Sequence, residues 1–379
     1  RKVNMKRIFL IYTVVTITTI FAQEKGKIAF GPYIQQMGTK DVTICWSTEV
    51  SKPTVTDENG NVKTITEYKQ HSIQLTRLTP NSRYTYDILN DGSDEGKGNF
   101  LTFPDEISPF KFAVLGDTRS RHDIHKRILE GILQHDPLFV INTGDLVGNG
   151  RDISDWEAFF KVNNKLMRNI PYYPVLGNHE KDSQYYYNFF DLPNNERYYS
   201  FHVGDALFVM LDSEGEEISE PNYITDENSE KFWKNSFKEY FIMQKKWLEK
   251  VLEINKEAGF VFVVQHKPLY SIKKSRVEDT NKYREFWGDF FEQHNVQVFI
   301  NGHDHHYHHA MKNGVHYITT AGGGAGLYET DTPQPETVKF SKIEHFISVN
   351  VNIDDAVLNV IDIDGNEIDK IVVKKRNVN

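Results

Sequence analysis

The chain has 379 residues, 39% of them hydrophobic and 13% aromatic, and a formal net charge of -9. That length allows one or two domains, and the apolar content is enough for a packed core. The acidic balance argues against binding a nucleic-acid duplex, which calls for a basic surface, but leaves room for a small anionic substrate held through bound cations.

Met5-Lys6-Arg7 gives a positive start, Ile8 to Phe21 is mostly apolar, and Ala22-Gln23 supplies a cleavage point. This predicts a secretory signal peptide with a short upstream extension over residues 1–22. It is too short for a membrane span and lacks a stop-transfer pattern, so no span is expected once it is removed. An uncleaved anchor is the alternative. The single cysteine, Cys45, cannot form an internal disulfide and sits inside an apolar strand pattern, which makes it a packing residue.

Residues 26–104 read as all-β. Val42, Ile44 and Trp46 alternate, as do Tyr84, Tyr86 and Ile88, and Asn59-Gly60 is a hairpin-type turn. Leu78 to Tyr84 resembles the corner of a fibronectin type III-like sandwich, in which a tyrosine hydroxyl bonds back to upstream backbone. Pro104 to Pro109 reads as a linker.

From Lys111 onward strands and helices alternate. Apolar runs at Phe112–Leu115, Leu138–Ile141, Tyr173–Leu176, Phe260–Val264 and Val296–Ile300 predict strands. Helical spacing appears at Ile124–Leu133, Trp156–Leu166 and Gln244–Ile254. Ser213 to Tyr240 reads as an insertion, most simply a solvated loop. Phe346 to Val373 alternates in strand fashion around a turn at Asp364-Gly365 and is expected to join the second domain's sheets.

Just after those strands come Gly116-Asp117, Gly144-Asp145, Gly177-Asn178-His179-Glu180, His266 and Gly302-His303-Asp304-His305. Loops at the C-terminal edge of an α/β sheet converge, so residues far apart in sequence can meet there in one crevice. Carboxylates, an amide oxygen and imidazoles suit manganese, iron or zinc. The order of these motifs resembles the calcineurin-like metallophosphoesterases. With the N-terminal sandwich it resembles their purple-acid-phosphatase-like branch, as do Tyr198-Tyr199-Ser200-Phe201 and Gly322-Gly323-Gly324.

The resemblance implies an α/β fold of β-sheets flanked by helices over residues 110–379, preceded by the small β-sandwich. It also implies two metal ions of iron, manganese or zinc. Asp145 would bridge them, Asp117 and His305 would hold one, and Asn178, His266 and His303 the other. His179 would act beside the metals as the catalytic group, with Glu180 either orienting its ring or lying at the surface. Of the histidines from 303 to 309, only His303 and His305 match the motif. The function implied is hydrolysis of a small phosphate ester by an exported enzyme, with a monoester favoured over a diester.

Two positions depart from the family pattern. Arg119 stands where many members carry a histidine, and is expected to bind substrate phosphate instead. Gly148 stands where purple acid phosphatases carry a tyrosine, so no iron–tyrosinate colour is expected. His122 and His125 are candidates to replace a missing ligand. A domain that binds metal without turnover is the competing reading, opposed by the retention of so many buried polar groups. A Ser-His-Asp hydrolase is weaker, because no Gly-x-Ser-x-Gly turn stands at a strand end.

Overall fold

The computed structural model describes residues 27–51, 66–88, 96–215, 227–329 and 333–377, with short strands at Val14–Thr16, Thr54–Thr56 and Val62–Thr64. The leader expected over residues 1–22 lies outside these except for Val14–Thr16, which pairs in parallel with Arg83–Asp87. The expected hairpin turn at Asn59-Gly60 also lies outside the described residues.

Ile28–Gln35, Asp41–Ser51 and Glu67–Thr76 form one antiparallel sheet, and Arg83–Asp87 pairs with Lys97–Leu101 in another. Val42, Ile44 and Trp46 are buried as their alternation predicts. Cys45 is buried on the opposite face, beside Tyr33, whose ring lies 5.1 Å from Phe160 in the helix Ile153–Met167. That helix packs on the neighbouring strand Ile28–Gln35, and the second face of Asp41–Ser51 is buried although Cys45 shares it with Thr43 and Ser47. Burial pushes the Cys45 thiol far above its ordinary range, leaving an inert packed side chain. The Thr79 N–H donates to the Tyr84 hydroxyl at 2.8 Å, the back-bond expected of the corner tyrosine.

The remainder is built on two sheets. One runs Tyr172–Pro174, Phe139–Asn142, Phe110–Leu115, His345–Val351, Asp355–Asp362, Glu367–Lys374. The other runs Tyr199–Val203, Ala206–Met210, Phe260–Val264, Val298–Asn301, Val315–Thr320, Tyr307–Lys312, Thr337–Ser341. The first three strands of the first sheet are mutually parallel, as are Ala206–Met210, Phe260–Val264, Val298–Asn301 and Val315–Thr320 in the second. The C-terminal strands join the first sheet antiparallel, with His345–Val351 beside Phe110–Leu115. Between the sheets lies an aromatic layer. Phe112 meets Phe208 at 5.0 Å and Phe262 at 5.3 Å, and Phe139 meets Phe208 at 5.0 Å, all edge-to-face.

Two helices differ from the expectation. The predicted Gln244–Ile254 helix begins at Glu227, so part of the supposed insertion is helical. No glycine or proline interrupts Glu227 to Ile254, and nothing breaks the helix earlier. Val277–Gln293 is a helix that the sequence reading did not single out; it buries Tyr283, Trp287, Phe290 and Phe291. Among the described residues no helix is long and apolar enough to cross a membrane.

Candidate metal centre

The six expected ligands converge at one edge of the two sheets. Asp117, Asp145 and Asn178 follow strands of the first sheet, and His266, His303 and His305 follow strands of the second. Asp117 and Asp145 have φ of 56° and His303 of 69°, backbone conformations uncommon for residues with side chains and concentrated at functional turns. Two glycines permit the close approach of the loops. A Cβ on Gly302 would lie 2.5 Å from Asp117 Oδ2, and one on Gly177 would lie 2.4 Å from the Asp145 nitrogen.

One cluster joins Asp117, Asp145 and His305, which can each offer a ligand atom within 4.8 Å of the others. His305 Nδ1 lies 2.7 Å from the Gly326 carbonyl oxygen, which can only accept, so Nδ1 carries the proton. In the neutral ring Nε2 then presents a lone pair, 3.2 Å from Asp117 Oδ1. That carboxylate oxygen is buried and receives no hydrogen bond. The Tyr328 ring stacks on His305 at 4.0 Å and fixes its plane.

The second cluster repeats the logic. His266 Nδ1 donates to the Thr143 carbonyl at 2.8 Å, turning Nε2 toward Asn178 Oδ1 and His303 Nδ1, both at 3.2 Å. Asp145 Oδ1 is 3.4 Å from the same Nε2. Burial and the nearby charges of His266, Arg276 and Lys267 drive the His303 imidazole far below its ordinary range, so it is neutral and able to ligate. Burial disfavours charge on His266, but the carboxylates of Asp145 and Asp117 outweigh it and raise its pKa. Burial likewise opposes ionisation of Asp145, but His266, His179 and Arg119 hold its pKa below the usual value. Carboxylate oxygens, an amide oxygen and imidazole nitrogens thus converge on two adjoining spaces with Asp145 between them, a donor set that fits a pair of cations.

Glu180 departs from both of its expected roles. It neither orients His179 nor lies at the surface: it is fully buried. Its carboxylate accepts from the backbone N–H groups of Gly177 at 2.7 Å, Leu146 at 2.8 Å, Asp145 at 2.9 Å and Val147 at 3.3 Å. One side chain therefore ties the loop of Asp145 to the loop of Asn178 and His179. The His179 ring is oriented instead by the carbonyl of Gly148, 2.6 Å from Nδ1. Its Nε2 faces the crevice, 3.9 Å from Asp145 Oδ2. Gly148, read from sequence only as a missing tyrosine, contributes this backbone oxygen, which leaves no trace in side-chain identity.

Arg119 lies inside the first cluster, with Nε 3.3 Å from Asp145 Oδ2 and Nη2 3.2 Å from His305 Nε2. His125 is no replacement ligand. Its ring nitrogens face Gly323 O at 3.2 Å and Asn163 Oδ1 at 3.1 Å, and His122 is exposed at the start of its helix. His306, His308 and His309 are buried behind the motif. His308 pairs with Thr337 and His309 with His316, outside both clusters.

Burial lowers the imidazoles of both His125 and His345 to about 4. A folded pKa below the unfolded value of about 6.5 favours the neutral form, so this stability is complete above about 6.5. It should be lost as pH falls from about 6.5 to about 4, at roughly 3 kcal/mol for each ring. Melting temperatures followed from pH 7 to pH 4.5 should fall steeply in wild type and less steeply in His125→Gln. Identical slopes would refute the assignment.

Residues 110–307, just over half of the chain, match the family model for calcineurin-like phosphoesterases. Purple acid phosphatase 13 of Arabidopsis thaliana is 26% identical over 323 residues, covering 69% of this chain and 55% of its own length. An uncharacterized protein of Mycobacterium tuberculosis is 24% identical over 287 residues, covering 65% and 52%. The chain thus spans about half the length of the curated relatives it matches. A purple acid phosphatase from yellow lupin seeds shares the fold, with a TM-score of 0.70 at 18% identity over 90% of this chain and 74% of that one. The matched region contains all six converging side chains, and this chain belongs to the calcineurin-like phosphoesterases.

Proposed function

We propose that the protein is an exported, metal-dependent phosphoesterase that acts on phosphate monoesters. The observation that carries this reading is the position of Asp145, whose carboxylate lies 3.4 Å from His266 Nε2 on one side and joins Asp117 and His305 in a cluster of candidate ligand atoms on the other. Asp117 and His305 would complete one metal site and Asn178, His266 and His303 the other. Bound there, iron, manganese or zinc ions would supply positive charge for the phosphoryl oxygens and activate a water for in-line attack.

The chain's own groups do the rest. Gly148 holds the His179 proton at Nδ1, leaving Nε2 to carry a second proton toward the departing ester oxygen. Arg119 offers a planar pair of N–H donors to the phosphate. The N-terminal sandwich, read as fibronectin type III-like, braces the helix Ile153–Met167. Export rests on the leader-like composition of residues 5–22, and the monoester preference on the likeness to purple acid phosphatases.

The test is hydrolysis of an aryl phosphate monoester and the matching diester by chelator-stripped protein, with manganese, iron or zinc restored singly. Turnover restored by metal supports the reading, and a diester preference would revise the substrate. Metal uptake without turnover of either ester would favour a binding protein. His179→Ala should keep its metal content and lose roughly 10²–10⁴ in kcat. Asn178→Ala should lose metal and activity together. Wild-type rates in both would remove the site assignment.

A further inference from the structure

Asp145 Oδ2 and His305 Nε2 belong to the first site's ligand set, and each already has a cation against it. The Arg119 guanidinium reaches Asp145 Oδ2 at 3.3 Å and His305 Nε2 at 3.2 Å. The second contact is a donated hydrogen bond, because the Gly326 carbonyl holds the His305 proton on Nδ1 and leaves Nε2 as an acceptor. An arginine cannot withdraw by losing its proton. An ion entering between Asp117, Asp145 and His305 therefore has to displace a resident charge. At the other cluster His266 Nε2 faces Asn178 Oδ1 and His303 Nδ1, both at 3.2 Å, and Asp145 Oδ1 at 3.4 Å, all members of the ligand set itself.

We propose that Arg119 is a built-in counter-ion of the first site and makes the two sites unequal. With no ion in that site, the guanidinium offsets the charge of Asp145 and holds His305 in place. The first ion binds at Asn178, His266 and His303. The second binds only by displacing Arg119, at a penalty of one or two charge-assisted hydrogen bonds, or about ten- to one-hundred-fold in affinity. The displaced guanidinium stays tethered two residues beyond Asp117, where it can meet an incoming phosphoryl group. The metal-site assignment comes from the phosphoesterase reading above, and the inequality of the sites goes beyond it. It turns the departure at position 119 from a missing ligand into a control on metal loading.

Chelator-stripped full-length protein would be titrated calorimetrically with Mn²⁺, with bound metal counted after gel filtration. Wild type should take up two ions in separate steps, the second about ten- to one-hundred-fold weaker. Arg119→Ala should bring the steps together, and Arg119→Lys, with one compact charge, should leave an intermediate gap. Asp117→Asn should remove the weaker step and spare the stronger one, which identifies the steps even if one arginine variant folds poorly. Equal steps in wild type, or an unchanged gap in Arg119→Ala, would overturn the inference while leaving the phosphoesterase reading intact if metal still restores turnover. Absence of any uptake would remove both.

Discussion

Asp145→Asn is expected to lose bound metal and to lower kcat by on the order of 10³-fold or more, several kcal/mol of barrier. The amide keeps the shape of the carboxylate, and its oxygen can still accept from the His179 N–H, which lies 2.9 Å from Asp145 Oδ1. What disappears is the negative charge that two neighbouring cations share. The metal-free fold should lose some stability as well, because His266, His179 and Arg119 together outweigh the burial of Asp145 and hold its pKa below the usual value. Neutralising it leaves those partners without their counter-charge. Metal analysis beside a thermal melt of the stripped protein separates the two effects. A variant with wild-type metal content and turnover would show that Asp145 does not bridge.

Glu180→Ala should have the largest effect on stability among single changes near the crevice. It strips the carboxylate from four backbone N–H groups in two loops. A buried donor left unpaired costs about 1–3 kcal/mol, so a loss of several kcal/mol follows unless water enters. Activity should fall with it, by about ten- to one-hundred-fold at the least, since the same loops carry Asp145, Asn178 and His179. Glu180→Gln keeps one acceptor oxygen but turns an NH₂ toward N–H donors, and should fall between wild type and Ala. A Glu180→Ala protein as stable as wild type would mean that the loops hold each other without the carboxylate.

Much of this architecture is legible in the sequence because strand ends and ligands coincide. An apolar run closed by Gly-Asp or Gly-His announces both the strand and the turn beyond it, and Gly177 and Gly302 show why glycine stands there: no side chain fits between the loops. The long helix from Glu227 was legible only in its last third, where apolar spacing is regular. Its earlier part mixes charged and aromatic residues, and no glycine or proline breaks it. The deepest misreading concerned Glu180, because a carboxylate that satisfies backbone donors has no sequence signature distinct from a solvated one. The carbonyls of Thr143, Gly148 and Gly326 that orient three imidazoles were likewise invisible, since every residue has one. Arg119 was visible as a substitution, but its place between Asp145 and His305 required the folded chain.

The aromatic layer between the sheets acts as a caliper for the crevice. Three ligands ride on one jaw and three on the other, and Phe112, Phe139, Phe208 and Phe262 set the gap between the jaws. A thinner ring in that layer would let the jaws shift and change every distance between Asp117 and His305, or between Asn178 and His266, at once. A displacement of about 1 Å can cost a catalytic site roughly 10²-fold. Residues buried in oily surroundings, with no polar atom to offer, therefore hold the tolerance of the chemistry at the edge.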